Sequence, residues 1–317
     1  MALVIRDLAL PDAEAAAAIR RSSIPFMATT ADSIVWDVAN APAEQRYRML
    51  VAESDGRVVG VATACLFRDS AEPGQALAQP YVLPEERGRG AGLALLRAAE
   101  EYLSGVGATA VYTWVLDDGH APGFAERRGY QRRRPSLVQR LDLDRAPLPE
   151  LSPPADVELR SFADFADDPR PLYEADVEAI EDEPSDVAVN GGTYENWLQW
   201  TWRTPLLDRD LSTAAVVDGT VVSLTIAHTD DGTRYFSGGT GTRRAFRGRG
   251  LAKLVKARSL HLARAAGRTE AFTGNDDENA PMLAINKWFG YEPAAAEWHY
   301  VRELGGSATA REGAPGA

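Results

Sequence analysis

The segment RGRGAG, Arg87 to Gly92, returns 160 positions later as RGRGLA, Arg247 to Ala252. Each copy follows a strand-like run and opens a stretch with helical apolar periodicity. A chain that carries one local device twice at such a distance reads as two similar units in tandem, and this constrains its fold more than any other feature. In the first copy Arg87, Gly88, Arg89, Gly90, Ala91 and Gly92, and in the second Arg247, Gly248, Arg249, Gly250, Leu251 and Ala252, set arginines and small residues at a helix start. Bare backbone N–H groups and the positive helix end then point at one spot, which suits an anion such as a pyrophosphate.

A second match strengthens the repeat. DGHAPGFAERRGY, Asp118 to Tyr130, and NAPMLAINKWFGY, Asn279 to Tyr291, each place a polar residue eleven positions before a Gly-Tyr pair. With these residues in view, the chain resembles the GNAT superfamily of acyl-CoA N-acyltransferases, over nearly its whole length and twice. That family's signature is Q/R-x-x-G-x-G/A under the coenzyme A pyrophosphate, then N-x-x-A-x-x-hydrophobic-Y-x-x-x-G-F/Y in the next helix.

The resemblance implies an α/β (α+β) fold of two tandem domains, each a mixed, mostly antiparallel sheet flanked by helices. The order β-α-β-β-β-α-β-α-β, read from hairpins at Asp55-Gly56 and Asp218-Gly219 and from the helices after each glycine loop, agrees with it. It implies acetyl-CoA as co-substrate, with no metal, and direct attack by a primary amine of a small molecule. Pantetheine would lie along the strand before each loop, past Val82 in one half and Gly241 and Thr242 in the other. SGGTG, Ser237 to Gly241, suits the bulge of that strand better than AQPYV does.

Both halves depart from the family. The tyrosine that would protonate the leaving thiolate is Ala125 in the first half and Asn286 in the second. The asparagine position holds Asp118 in the first half, whose charge opposes phosphate, and Asn279 in the second, which also suits a helix cap. The second half is therefore expected to be the catalytic one, with Asn279 and Asn286 bonding the cofactor and the first half a degenerate partner. For a base, AIEDEPSD supplies Glu181, Asp182 and Glu183, with Glu183 and Asp182 the candidates. Clustered carboxylates raise one another's proton affinity toward the range a base needs, whereas a charge run in a loop is more often only solvated. Tyr194, Trp197, Trp200 and Trp202 follow, as an aromatic pocket wall or as core.

At 317 residues the chain accommodates two domains: 1–145, a Pro-rich linker at 146–155, 156–304, and a tail at 305–317 expected to be disordered. The net charge of −12 argues against nucleic acid as a partner and fits a cationic acceptor, although acidity also serves solubility alone. Cys65 is the one cysteine, and the four histidines are too scattered for a metal site. With no apolar run of membrane-spanning length, the expectation is a cytoplasmic protein without membrane contact. A non-catalytic acyl-CoA-binding module is the alternative, motivated by the two missing tyrosines.

Overall fold

The computed structural model describes residues 3–67, 70, 72–181, 192–230 and 232–304. The first half runs β1 (Leu3–Asp7), α1 (Ala13–Ser23), α2 (Ala31–Asn40), β2 (Arg48–Ser54), β3 (Arg57–Leu66), β4 (Gln75–Val82), α3 (Ala91–Gly105), β5 (Ala110–Leu116), α4 (Ala121–Glu126) and β6 (Gln131–Asp142). The second repeats it with β7 (Glu158–Ser161), α5 (Arg170–Ile180), α6 (Tyr194–Trp197), β8 (Thr213–Val217), β9 (Thr220–Thr229), β10 (Arg234–Thr242), α7 (Leu251–Ala265), β11 (Glu270–Asp276), α8 (Ala280–Phe289) and β12 (Glu292–Glu303). Helix α2 is additional to the elements expected from the sequence. Its start is marked by Thr30, whose hydroxyl accepts from the Ser33 N–H while the Ser33 hydroxyl receives the Thr30 N–H.

The twelve strands of the described residues form one sheet in the order β1-β2-β3-β4-β5-β12-β6-β11-β10-β9-β8-β7. Replacing each strand by its repeat counterpart reverses this order, so the sheet has an internal two-fold relation. At its centre the last strand of each half has crossed over. β12 lies antiparallel between β5 and β6, and β6 lies antiparallel between β12 and β11. Each half thus completes its sheet with a strand from the other.

The helices cover both faces. Along α3, Leu95, Leu96, Ala99 and Leu103 are buried against β2, β3 and β4, and each leucine so removed from water contributes roughly 1.5–3 kcal/mol. In α7, Leu254, Val255, Ala257, Leu260 and Ala263 do the same for the second half. The linker crosses α7, where the Arg264 guanidinium donates to the carbonyls of Leu143 and Ala146 and Leu148 joins the core. Tyr194, Trp197 and Trp202 belong to the cluster beneath α5. Trp197 Nε1 donates to the buried Asp176 at 2.8 Å, and none of these rings lines the three cavities beside the glycine loops described below.

Candidate functional site

Among the described residues the only parallel strand pairs are β4 with β5 and β10 with β11, and both come apart. Pairing runs from Gln75/Ala110 to Leu77/Tyr112 in the first half and from Arg234/Glu270 to Ser237/Thr273 in the second. Past those points the strands diverge, and each divergence leads to a glycine loop. Gly88 and Gly90 have φ of +79° and +95°, and Gly248 and Gly250 of +77° and +78°. A Cβ at any of the four would meet nothing within 4 Å. What selects glycine there is the left-handed backbone, and the space before the loops is open. The first bonds within α3 and α7 are Ala94 N–H to Gly90 O and Leu254 N–H to Gly250 O. The amides of residues 91–93 and 251–253 are therefore free of partners inside their helices, an arrangement suited to an anion.

In the first half a cavity of about 340 Å³ runs from this loop into the strand divergence, lined by Val82, Arg87, Gly88, Gly90 and Gly92. Arg127, Arg128 and His120 add basic character at the same end. Arg89 instead pairs with Glu86 at 2.8 Å, and Ala91 is packed in the core. Asp118 accepts from the N–H groups of His120 and Ala121, capping α4, and holds Arg87 at 3.3 Å. These bonds and Arg87 keep its carboxyl below the usual range despite burial.

In the second half a cavity of about 400 Å³ is lined by Gly241, Thr242, Arg247, Gly248, Gly250, Leu251, Ala252 and Asn279. A smaller one of about 140 Å³ adjoins it between the parted strands, from Ser237 to Thr240 and from Thr273 to Asp276. Arg249 is turned away and holds both oxygens of Asp156. Asn279 Oδ1 accepts the Met282 N–H at 3.3 Å, so it caps α8 while lining both spaces. Asn286 is fully buried behind them. Its amide is taken up by Lys256, Gln139 and Asn275.

The two divergences differ in chemistry. In β4 the Leu83 N–H bonds Val59 O and the Phe67 N–H bonds Gln75 O, so odd-numbered residues direct their backbone to β3 and even-numbered ones toward β5. Pro80 is an even residue and brings no N–H to that opening. Gln79 spans it with its side chain, donating to Trp114 O at 2.7 Å and accepting from Trp114 N–H at 2.9 Å and the Thr113 hydroxyl at 3.0 Å. In β10 the register slips between Ser237 and Gly239, which is the bulge expected there. Beyond it the Arg243 N–H bonds Val222 O, so Thr240 and Thr242 direct their N–H groups into the opening. Gly239 stands where Gln79 stands, and the space stays clear. Beside it, a Cβ on Gly238 would lie 2.7 Å from His228 Cε1. The ring of His228 is pushed down to about 4 by burial, and its Nε2 has no hydrogen-bond partner among the described residues.

Of the acidic run, Glu181 is described. It pairs with Arg244 at 3.2 Å, next to the Glu178 carboxylate that receives Arg243 Nε at 2.8 Å and the Arg244 N–H at 2.7 Å. The end of α5 is thereby fixed beside the second loop, with Ala179 lining its cavity. Asp182 and Glu183 lie outside the described residues. Among the described residues no three His, Cys, Asp or Glu side chains are grouped to hold a metal ion, and no helix is long and apolar enough to cross a membrane.

A glycine loop opening a helix beside a pair of parting strands is present twice on one sheet, so the site, like the fold, is of tandem build. Residues 16–130 match the Acetyltransferase (GNAT) family. The chain is 29% identical over 265 residues to a mycothiol acetyltransferase of Nocardia farcinica, covering 80% of this chain and 82% of the relative. It is 35% identical to one of Geodermatophilus obscurus over 124 residues, 38% of each. Among solved structures, a tandem GNAT protein from the clavulanic acid biosynthesis pathway superposes with a TM-score of 0.73 at 22% identity, covering 96% of this chain and all of that one. A GCN5-related N-acetyltransferase of Sphaerobacter thermophilus gives 0.69 at 24%, over 95% of both. The chain thus carries a GNAT acetyltransferase domain, and GNAT acetyltransferases use acetyl-CoA.

Proposed function

We propose that the chain transfers acetyl from acetyl-CoA to a primary amine of a small molecule, by direct attack in a ternary complex held in the second half. One observation carries the choice of half: the opening between β10 and β11 is clear and receives the Thr240 N–H, whereas that between β4 and β5 is spanned by Gln79 and loses a donor at Pro80. A backbone N–H aimed at the thioester carbonyl stabilises the negative charge that develops on its oxygen. Phosphates sit on the amides that open α7, with Arg247 alongside, and Asn279 keeps the end of α8 in place. A carboxylate of the run that leaves α5, Glu183 before Asp182, takes the amine proton, and alignment of the two reactants supplies much of the rate. The relatives named mycothiol acetyltransferase make the amine acceptor of that reaction the first to try.

The test is calorimetric titration of acetyl-CoA into the wild type and into Gly250→Glu and Gly90→Glu, with amine acetylation assayed in parallel. Transfer lost in Gly250→Glu and kept in Gly90→Glu is the expected result. The reverse pattern would move the reaction to the first half, and binding without transfer to any amine would leave a coenzyme-binding module.

A further inference from the structure

The cavity of the first half ends on a carboxylate that the first half does not encode. Glu297 belongs to β12, opposite Leu116 of β5 on one side and Ser136 of β6 on the other. It lines the same cavity as Gly88 and Gly90. Trp298 and Tyr300 of β12 pack in the α3 cluster, so alternation along the strand puts Glu297 on the opposite face, where α1 lies. From the end of α1, Ser23 lines the cavity as well. It is 8% exposed, and its hydroxyl is buried without a hydrogen-bond partner. Glu297 has no ion pair or hydrogen bond among the described residues, and burial pushes it up to about 7. The nearby cation on that face, Arg20, is 3.8 Å from Asp37. A half-buried carboxylate that no described side chain pairs and a buried hydroxyl without a partner, both facing one cavity, leave a polar end that an arriving cation would complete.

We propose that the first half binds a ligand that is anionic at one end and carries an ammonium group at the other: phosphates on the Gly88–Gly92 loop, the ammonium between Glu297 and Ser23. The first half is then an amine-receiving site in its own right, assembled only when the second half lends its last strand. Gln79 and Pro80 do not interfere with this role, since holding an ammonium group needs neither a clear opening nor an oxyanion donor.

Two non-reactive probes test this: S-(2-aminoethyl)-coenzyme A, whose ammonium lies just past the sulfur, and S-ethyl-coenzyme A, its neutral counterpart. In Gly250→Glu, where the second loop is blocked, the aminoethyl compound should bind at least about tenfold more tightly. Glu297→Gln in that background should erase the preference while leaving S-ethyl-coenzyme A binding unchanged, and Ser23→Ala should reduce the preference several-fold. Equal binding of the two probes would overturn the proposal. So would a preference that survives Glu297→Gln, or one that persists in Gly90→Glu and disappears in Gly250→Glu. Should Glu297→Gln bind neither probe, Glu297→Asp, which keeps the charge, must restore the preference, and its failure to do so counts against the site.

Discussion

Lys256 Nζ donates to Asn286 Oδ1 at 2.7 Å, and both side chains are completely buried. Asn286 passes its own donors to Gln139 Oε1 at 3.0 Å and Asn275 Oδ1 at 2.7 Å. Gln139 comes from β6, so this network ties the second half's helices to the strand it receives from the first. Among the described residues no carboxylate joins it, and burial pushes Lys256 down to about 7 from an unfolded value of 10.5. Between those two values the unfolded chain binds the additional proton, so this group makes stability rise with pH, by up to about 1.4 kcal/mol per unit. Denaturant titrations from pH 7.5 to 9.5 should show that rise in the wild type and a shallower one in Lys256→Met. Parallel slopes would mean that Lys256 titrates normally.

Thr240→Pro should remove the N–H aimed into the second opening while leaving the strand in place, because Pro80 already occupies the matching position of β4. A loss of roughly 10²–10³ in kcat is expected, with acetyl-CoA affinity little changed. Thr240→Val keeps the N–H and gives up the 2.7 Å contact with the Thr225 hydroxyl, and it should keep most of the activity. Steady-state kinetics on both variants separates the backbone from the side chain.

Gln79→Leu should destabilise the protein by about 1–3 kcal/mol, because the Trp114 N–H and carbonyl and the Thr113 hydroxyl lose their partners in a buried place. A urea midpoint within error of the wild type would show that water takes over those bonds.

Residues 1–145 made alone should fail to fold as a monomer. Among the described residues β6 pairs with β12 and β11 alone, and β5 loses the partner along its whole length. Co-expression with residues 146–317 should recover a soluble complex. A cooperative, monomeric unfolding transition from the isolated fragment would contradict the exchange.

Much of the fold was legible from local chemistry. The two glycine loops, their helices, the hairpins at Asp55-Gly56 and Asp218-Gly219 and the bulge at Ser237–Gly239 each follow from residues whose backbone preferences act within a few positions. Within the loops, the charges of Arg89 and Arg249 find Glu86 and Asp156, partners that lie outside the motif. Strand exchange is a long-range choice between two nearly equivalent partners, and alternation within β6 or β12 looks the same whichever sheet accepts it. Glu297 was therefore invisible as a site residue, and Gln79 and Pro80 looked like ordinary strand positions. The motif position of Asn286 suggests a cofactor contact, whereas the side chain is fully buried. Its burial depends on Lys256, thirty residues upstream on another helix, which reads in sequence as a surface lysine.

The crossing of β6 and β12 also changes what selection sees. A substitution at Glu297 alters the first half's cavity, and one at Gln139 alters the second half's interior, although each is inherited with the other half. Natural variation in residues 292–303 should therefore follow the first glycine loop and the ligand it holds. A recombination event that replaced one half as a contiguous block would bring in a foreign strand at the centre of both.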